Sequence, residues 1–156
     1  MTSGAPGGAP VAAHGDTRAP GRGGNGPTPE EEIAHFESAD FDPSGFRHRE
    51  HVRMAWLYLQ VLRPIDALRR YADGLRAIAN RVGVPEKYHE TVTWAYVIIV
   101  NQRMVEDPGR TWDGFAAANP DLFVWPGGTL EAYYRPETLM SDAARLTFLM
   151  PDRGTG

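Results

Sequence analysis

The chain has 156 residues, 16 Lys and Arg against 20 Asp and Glu, and no cysteine. This is enough chain to bury a sizeable core within one domain, and a net charge of -4 supplies no basic surface for nucleic acid. The missing thiols exclude disulfides, cysteine-type zinc sites, iron–sulfur clusters and thiol nucleophiles. No apolar run approaches the roughly 18 residues that span a bilayer.

No basic stretch followed by an apolar one opens the chain, so no signal peptide is expected and the expected location is cytoplasmic. Lys87 is the single lysine among fifteen arginines, and Ala, Gly and Pro are abundant. That usage points to a GC-rich bacterial source. Residues 1–27 are Gly, Ala and Pro with few polar residues and no apolar periodicity. They are expected to form a disordered tail, with His14 idle in it. Residues 28–152 are expected to form a single helical domain.

The domain opens with Thr28-Pro29-Glu30-Glu31-Glu32. Thr28 is a cap, Pro29 suits the first helical position, and the acids favour the positive end of the helix dipole. This short helix carries Ile33 and Phe36 and is expected to end near Ser38, with His35 on its solvent side. Asp40 to Gly45 reads as a turn. A second helix is expected over Phe46 to Leu62, with Val52, Ala55, Trp56, Leu59 and Leu62 as its apolar stripe. Stepping the stripe backward lands on His51 and His48, so both should face the core at one end of a bundle.

Pro64 begins a helix to about Val82, with Ile65, Leu68, Tyr71, Leu75, Ile78 and Val82 inward, and Gly83 as its stop. Pro85 begins another from about Glu86 to Glu106. Its middle, Val92 to Val100, is apolar on every side, as a central helix would be. The β-branched content there also suits a buried strand, but the length and the lack of an internal breaker favour helix. Asp107-Pro108-Gly109 breaks the chain, and a short helix is expected over Trp112 to Ala118. Leu122, Phe123 and Trp125 are expected to plug one end of the core. A turn is expected through Leu130 to Tyr134. A last helix is expected over Pro136 to about Leu149, with Leu139, Ala143 and Leu146 inward. Short loops make sequential helices antiparallel neighbours. The expected fold is therefore all-α, a compact bundle of about four to five helices.

His48 and His51 are three apart on one helix and share a face. The helix after them returns the chain, so the start of the next can bring His89 to the same end. Three imidazoles with an open position form a catalytic metal shell, met with zinc and in related forms with iron or manganese. We therefore expect a divalent metal on His48, His51 and His89. Glu90 would complete the shell or act as general base on metal-bound water. Arg53, Tyr88 and Thr93 would bind or orient a substrate. The competing reading is that the histidines hydrogen-bond to backbone or carboxylate and pack among aromatics.

Three further patterns carry less. Glu32-x-x-His35 and Glu86-x-x-His89 match half of a di-iron bundle site, but the two inward glutamates from other helices are missing. Lys87 is a Schiff-base lysine only if desolvated, and a helix start is ordinarily exposed. Asp142 and Arg145 read as an ordinary ion pair.

The run His-Arg-Glu-His-Val-Arg-Met-Ala-Trp-Leu-Tyr-Leu at 48–59, with Tyr-His-Glu-Thr-Val-Thr-Trp-Ala at 88–95, resembles a family of small bacterial helical proteins. Ala-Asn-Pro-Asp-Leu-Phe at 118–123 and Tyr-Tyr-Arg-Pro-Glu-Thr-Leu at 133–139 fit the same resemblance. It covers about Phe36 to Asp152, and no established activity attaches to that family. It adds no reaction.

Two functions follow as expectations. The first is a small metal-dependent enzyme acting on a small molecule in bacterial specialised metabolism, its site between the starts of two helices. The alternative is a non-catalytic helical module or accessory protein that binds a small ligand, its histidines structural or anion-binding. Neither involves nucleic acid or membrane, and a homodimer fits either.

Overall fold

A computed structural model describes residues 26–154. All but the last two residues of the expected tail, His14 included, lie outside them. The described residues form seven α-helices and four short 3-10 turns, with no strand among them. The helices are α1 (Pro29–Phe36), α2 (His48–Val61), α3 (Pro64–Arg81), α4 (Glu90–Glu106), α5 (Trp112–Ala118), α6 (Pro136–Leu139) and α7 (Asp142–Leu146). The all-α expectation holds. Among the described residues no helix is long and apolar enough to cross a membrane.

The caps explain the helix starts. Thr28 and Glu31 form a reciprocal capping box, the Thr28 hydroxyl accepting from the Glu31 N–H at 3.2 Å and the Glu31 carboxylate accepting from the Thr28 N–H at 2.8 Å. At α2 the Glu50 carboxylate accepts from the Arg47 N–H at 3.0 Å. The α4 helix starts four residues later than its sequence pattern suggests. Pro85–Lys87 is a separate 3-10 turn, and His89 caps the helix through its ring, Nδ1 accepting from the Val92 N–H at 3.2 Å.

Helices α2, α3 and α4 pack mutually, with α1 laid on α2 and α7 on α4. Being covered from several sides, α2 buries Met54, Leu57 and Tyr58 as well as Val52, Ala55 and Trp56 of the expected stripe. The α3 stripe is real at Tyr71 and Ile78 but overruns its contacts, leaving Ile65 and Val82 exposed at the two ends. Gly83 ends it with φ +77°, a left-handed backbone that glycine adopts without a Cβ clash. Gly74, in the middle of α3, lies against Phe36: a Cβ there would stand 2.7 Å from the Phe36 ring. This missing side chain is what lets α1 settle onto α3. Phe36, Tyr58, Leu57 and Leu122 are fully buried, each worth about 1.5–3 kcal/mol of transfer free energy.

The C-terminal third departs most from its sequence pattern. The helix expected over Pro136–Leu149 is two short helices. The Ser141 hydroxyl accepts from the Ala144 N–H at 3.1 Å and starts a new helix there. The restart rotates the face: Ala144 is buried, and Leu146, expected inward, is 68% exposed. Of the expected plug, Leu122 is fully buried, but Trp125 is 51% exposed.

Candidate functional site

His48 begins α2 and turns toward the C-terminal third. Its ring stacks on Trp125 at 5.4 Å and meets Tyr96 edge-on at 5.0 Å. Its Nε2 lies 2.7 Å from the Leu122 carbonyl oxygen. A carbonyl only accepts, so Nε2 carries the proton and Nδ1 is left as a lone pair. Burial lowers the pKa of the ring, against the raising effect of the Leu122 bond.

His51 follows one turn later but faces α3. Its ring centroid is 4.3 Å from that of Phe46. The Tyr71 hydroxyl donates to the His51 carbonyl at 3.0 Å and lies 3.3 Å from its Nδ1. Burial, and then the charge His48 would carry, push His51 down to about 4. It is a neutral imidazole throughout the neutral range.

His89 spends both ring nitrogens. Nδ1 caps α4, and Nε2 donates to the Leu139 carbonyl at 2.7 Å. The structure does not gather the three imidazoles expected to converge on one ion: their hydrogen bonds run to the 120–123 turn, to α3 and to α6 respectively. Among the described residues no three His, Asp or Glu side chains group in a way that would hold a metal.

The remaining expected site residues fall in two places. Glu90 is only 8% exposed and pairs with Arg76, whose guanidinium lies 4.7 Å over the Tyr88 ring. Burial, then Glu90, raises the Tyr88 phenol pKa. Thr93 is buried and donates to the His89 carbonyl at 2.8 Å, a bond within its own helix. Tyr88, Glu90 and Thr93 thus share a neighbourhood at the start of α4. Arg53 is elsewhere, facing α1, where it grips both carboxylate oxygens of Glu32. The Tyr88 and Tyr96 hydroxyls are buried without a hydrogen bond of good geometry. Lys87 is exposed, as a lysine beside a helix start ordinarily is.

Arg53 borders a groove of about 370 Å³ between α1 and the first turns of α2. Phe41, Phe46 and Met54 make its apolar floor, and Glu31, Glu32, His35 and Glu50 stand around it. Its size falls at the small end of ligand pockets, roughly 300–1,000 Å³. The sequence signal for it was thin. Phe41 and Phe46 lie between helices rather than on a stripe, and Met54 lies beside the stripe of α2. A second hollow of about 330 Å³ runs between the end of α1 and α3. Its polar groups are already engaged, Glu37 accepting from Arg70 at 2.8 Å and from the Tyr58 hydroxyl at 2.7 Å.

Compared with protein-family models, with curated proteins and with solved structures, the chain matches none.

Proposed function

We propose that this chain is a non-catalytic helical module that binds a small organic molecule in the groove between α1 and α2, and that its core histidines are structural. The observation that carries this reading is the groove itself: an aromatic and thioether floor ringed by charged side chains, the composition of a site that takes an apolar body and orients a polar end. The hydrogen bonds of His48 and His89 to backbone carbonyls support the structural role of the imidazoles.

The test uses the methyl group of Met54, a residue that lines the groove, among five methionines in the chain. A fragment library is titrated into methyl-labelled protein and the methionine methyl spectrum is followed, with Met54→Leu supplying the assignment. Binding that shifts Met54 and leaves Met140 and Met150 in place is the expected result. Fragments that shift only the other methionines, or none, overturn the reading.

A second reading is the metal-dependent enzyme acting on a small molecule in bacterial specialised metabolism, with His48, His51 and His89 as ligands of zinc, iron or manganese and Glu90 as proton carrier. The observation in its favour is that the buried hydroxyls of Tyr96, beside His48, and of Tyr88, beside Glu90, lack a hydrogen bond of good geometry, since buried polar atoms ordinarily have partners. It requires His89 to release Leu139 or the α4 cap. Stoichiometric metal in purified protein, lost in both His51→Ala and His89→Ala, would establish it over the binding module.

A further inference from the structure

We propose that the groove between α1 and α2 takes an organic ammonium ion with an apolar, aromatic body. This rests on the reading of the groove as the binding site and adds the chemistry of its occupant.

Glu31, Glu32, Glu50 and Arg53 are the formally charged side chains around the groove, with His35 beside them. Arg53 spends its two terminal nitrogens on the two oxygens of Glu32, so that pair is closed on itself. Glu31 and Glu50 each hold a backbone N–H through one oxygen, Oε2, at 2.8 and 3.0 Å. Their Oε1 atoms make no hydrogen bond within the described residues, and neither carboxylate has an ion-pair partner there. The groove therefore carries an excess of two formal negative charges.

The groove is also lined by two aromatic rings that pack on their neighbours. Phe41 and Phe46 meet at 86° with centroids 5.4 Å apart, and Phe46 is backed by Phe36 at 5.4 Å and His51 at 4.3 Å. Aromatic faces attract cations, and more strongly where water is displaced. An ammonium at the Glu31 and Glu50 side, with its ring against Phe46 and Met54, satisfies both halves of the groove. A carboxylate ligand meets two like charges and an arginine already neutralised. A neutral ligand of the same shape covers the carboxylates without replacing their water.

The experiment is calorimetric titration of the full chain with three probes that share a phenylethyl body: phenethylammonium, 3-phenylpropionate and 2-phenylethanol. Phenethylammonium is expected to bind about tenfold more tightly than either of the others. Glu31→Gln and Glu50→Gln, which keep an acceptor for the capping N–H, are each expected to weaken phenethylammonium severalfold and leave 2-phenylethanol unchanged. The Met54 methyl resonance is followed in parallel. If all three probes shift Met54 with equal affinity, or 3-phenylpropionate binds best, the groove reading stands and the ammonium proposal is overturned. If no probe shifts Met54, the groove reading itself fails and the proposal fails with it.

Discussion

His48 and Leu122 are 74 residues apart in sequence, and the His48 imidazole donates to the Leu122 carbonyl at 2.7 Å. His89 does the same to Leu139, 50 residues away and also at 2.7 Å. The C-terminal third is made of short turns and helices that reach the core through Leu122, Leu130, Tyr134 and Ala144. Each imidazole pins one piece of it to a long helix of the bundle. A buried or half-buried carbonyl that loses its donor costs about 1–3 kcal/mol. We therefore expect His48→Ala and His89→Ala each to lower unfolding stability by that amount in urea titrations. His89→Asn should lose less, because asparagine still caps α4. Losses below about 0.5 kcal/mol in both alanine variants, the range of an ordinary surface change, would contradict the pinning role.

Acid should loosen the fold through His51. Its pKa falls from 6.5 in the unfolded chain to about 4 in the folded one. Above pH 6.5 the ring is neutral in both states and contributes nothing to pH dependence. Between pH 6.5 and 4 the unfolded chain binds the proton and the folded one does not, so stability falls as pH falls. Below pH 4 both bind it and the loss is complete, on the order of 3 kcal/mol. His48 is depressed by burial as well and acts with the same sign. His51→Leu should flatten this acid limb, since the Tyr71 hydroxyl keeps its bond to the backbone carbonyl of residue 51. Urea midpoints from pH 4 to 7.5 for the two proteins measure it, and parallel curves would show that His51 is not the source.

Glu90 and Arg76 should respond unequally to mutation. Glu90 has a side chain 11% exposed, Arg76 one 44% exposed. Removing the arginine strands a buried carboxylate, at roughly 3 kcal/mol. It also removes the guanidinium from above Tyr88. Glu90→Gln leaves an arginine that can turn to water, at about 1 kcal/mol. The predicted order, Arg76→Ala well below Glu90→Gln in stability, is read from the same urea titrations. Equal losses would mean that the carboxylate is less confined than its burial implies.

Gly74→Ala should reverse the usual helix rule. In an open helix interior, alanine gains about 1 kcal/mol over glycine. At Gly74 the new Cβ meets the Phe36 ring at 2.7 Å, and Phe36 is itself fully buried. Overpacking of this kind costs about 1–3 kcal/mol. Gly114→Ala in α5 is the control, because its nearest neighbour would be Thr111 Oγ1 at an ordinary 3.4 Å. Destabilisation at residue 74 with none at 114 is the expected pattern. A stabilised Gly74→Ala would mean that α1 is not seated against α3.

Much of the fold was legible in the residues. Thr28-Pro29, Pro64, Gly83 and the Val52–Ala55–Trp56 stripe mark three helices by capping and by spacing, both local properties. Two of the departures come from side chains that act as caps. His89 is a rare ring-nitrogen cap that delays α4, and Ser141 cuts one expected helix into two and turns Leu146 outward. The site was harder to read because its deciding contacts are long-range. The i,i+3 spacing suggests a shared face for His48 and His51, but their rings meet different partners, His48 the 120–123 turn and His51 the Tyr71 hydroxyl. It says nothing of Leu122 or Leu139, whose carbonyls claim the ring protons of His48 and His89. Arg53, expected to bind a substrate beside the histidines, instead pairs with Glu32 on α1. The groove lies between α1 and α2, with Phe41 and Phe46 supplied by the loop between those helices.

Whether the histidines are structural or metal-binding depends on where the imidazole protons are, and long-range nitrogen–proton NMR of the histidine rings, with and without one equivalent of zinc, tests that most directly. His48 and His89 should both appear as the Nε2–H tautomer at neutral pH, unchanged by zinc. Loss of the Nε2 proton from both, in step with one bound zinc and together with a shift at His51, would contradict structural histidines and move the chemistry of this protein to the ends of α2 and α4.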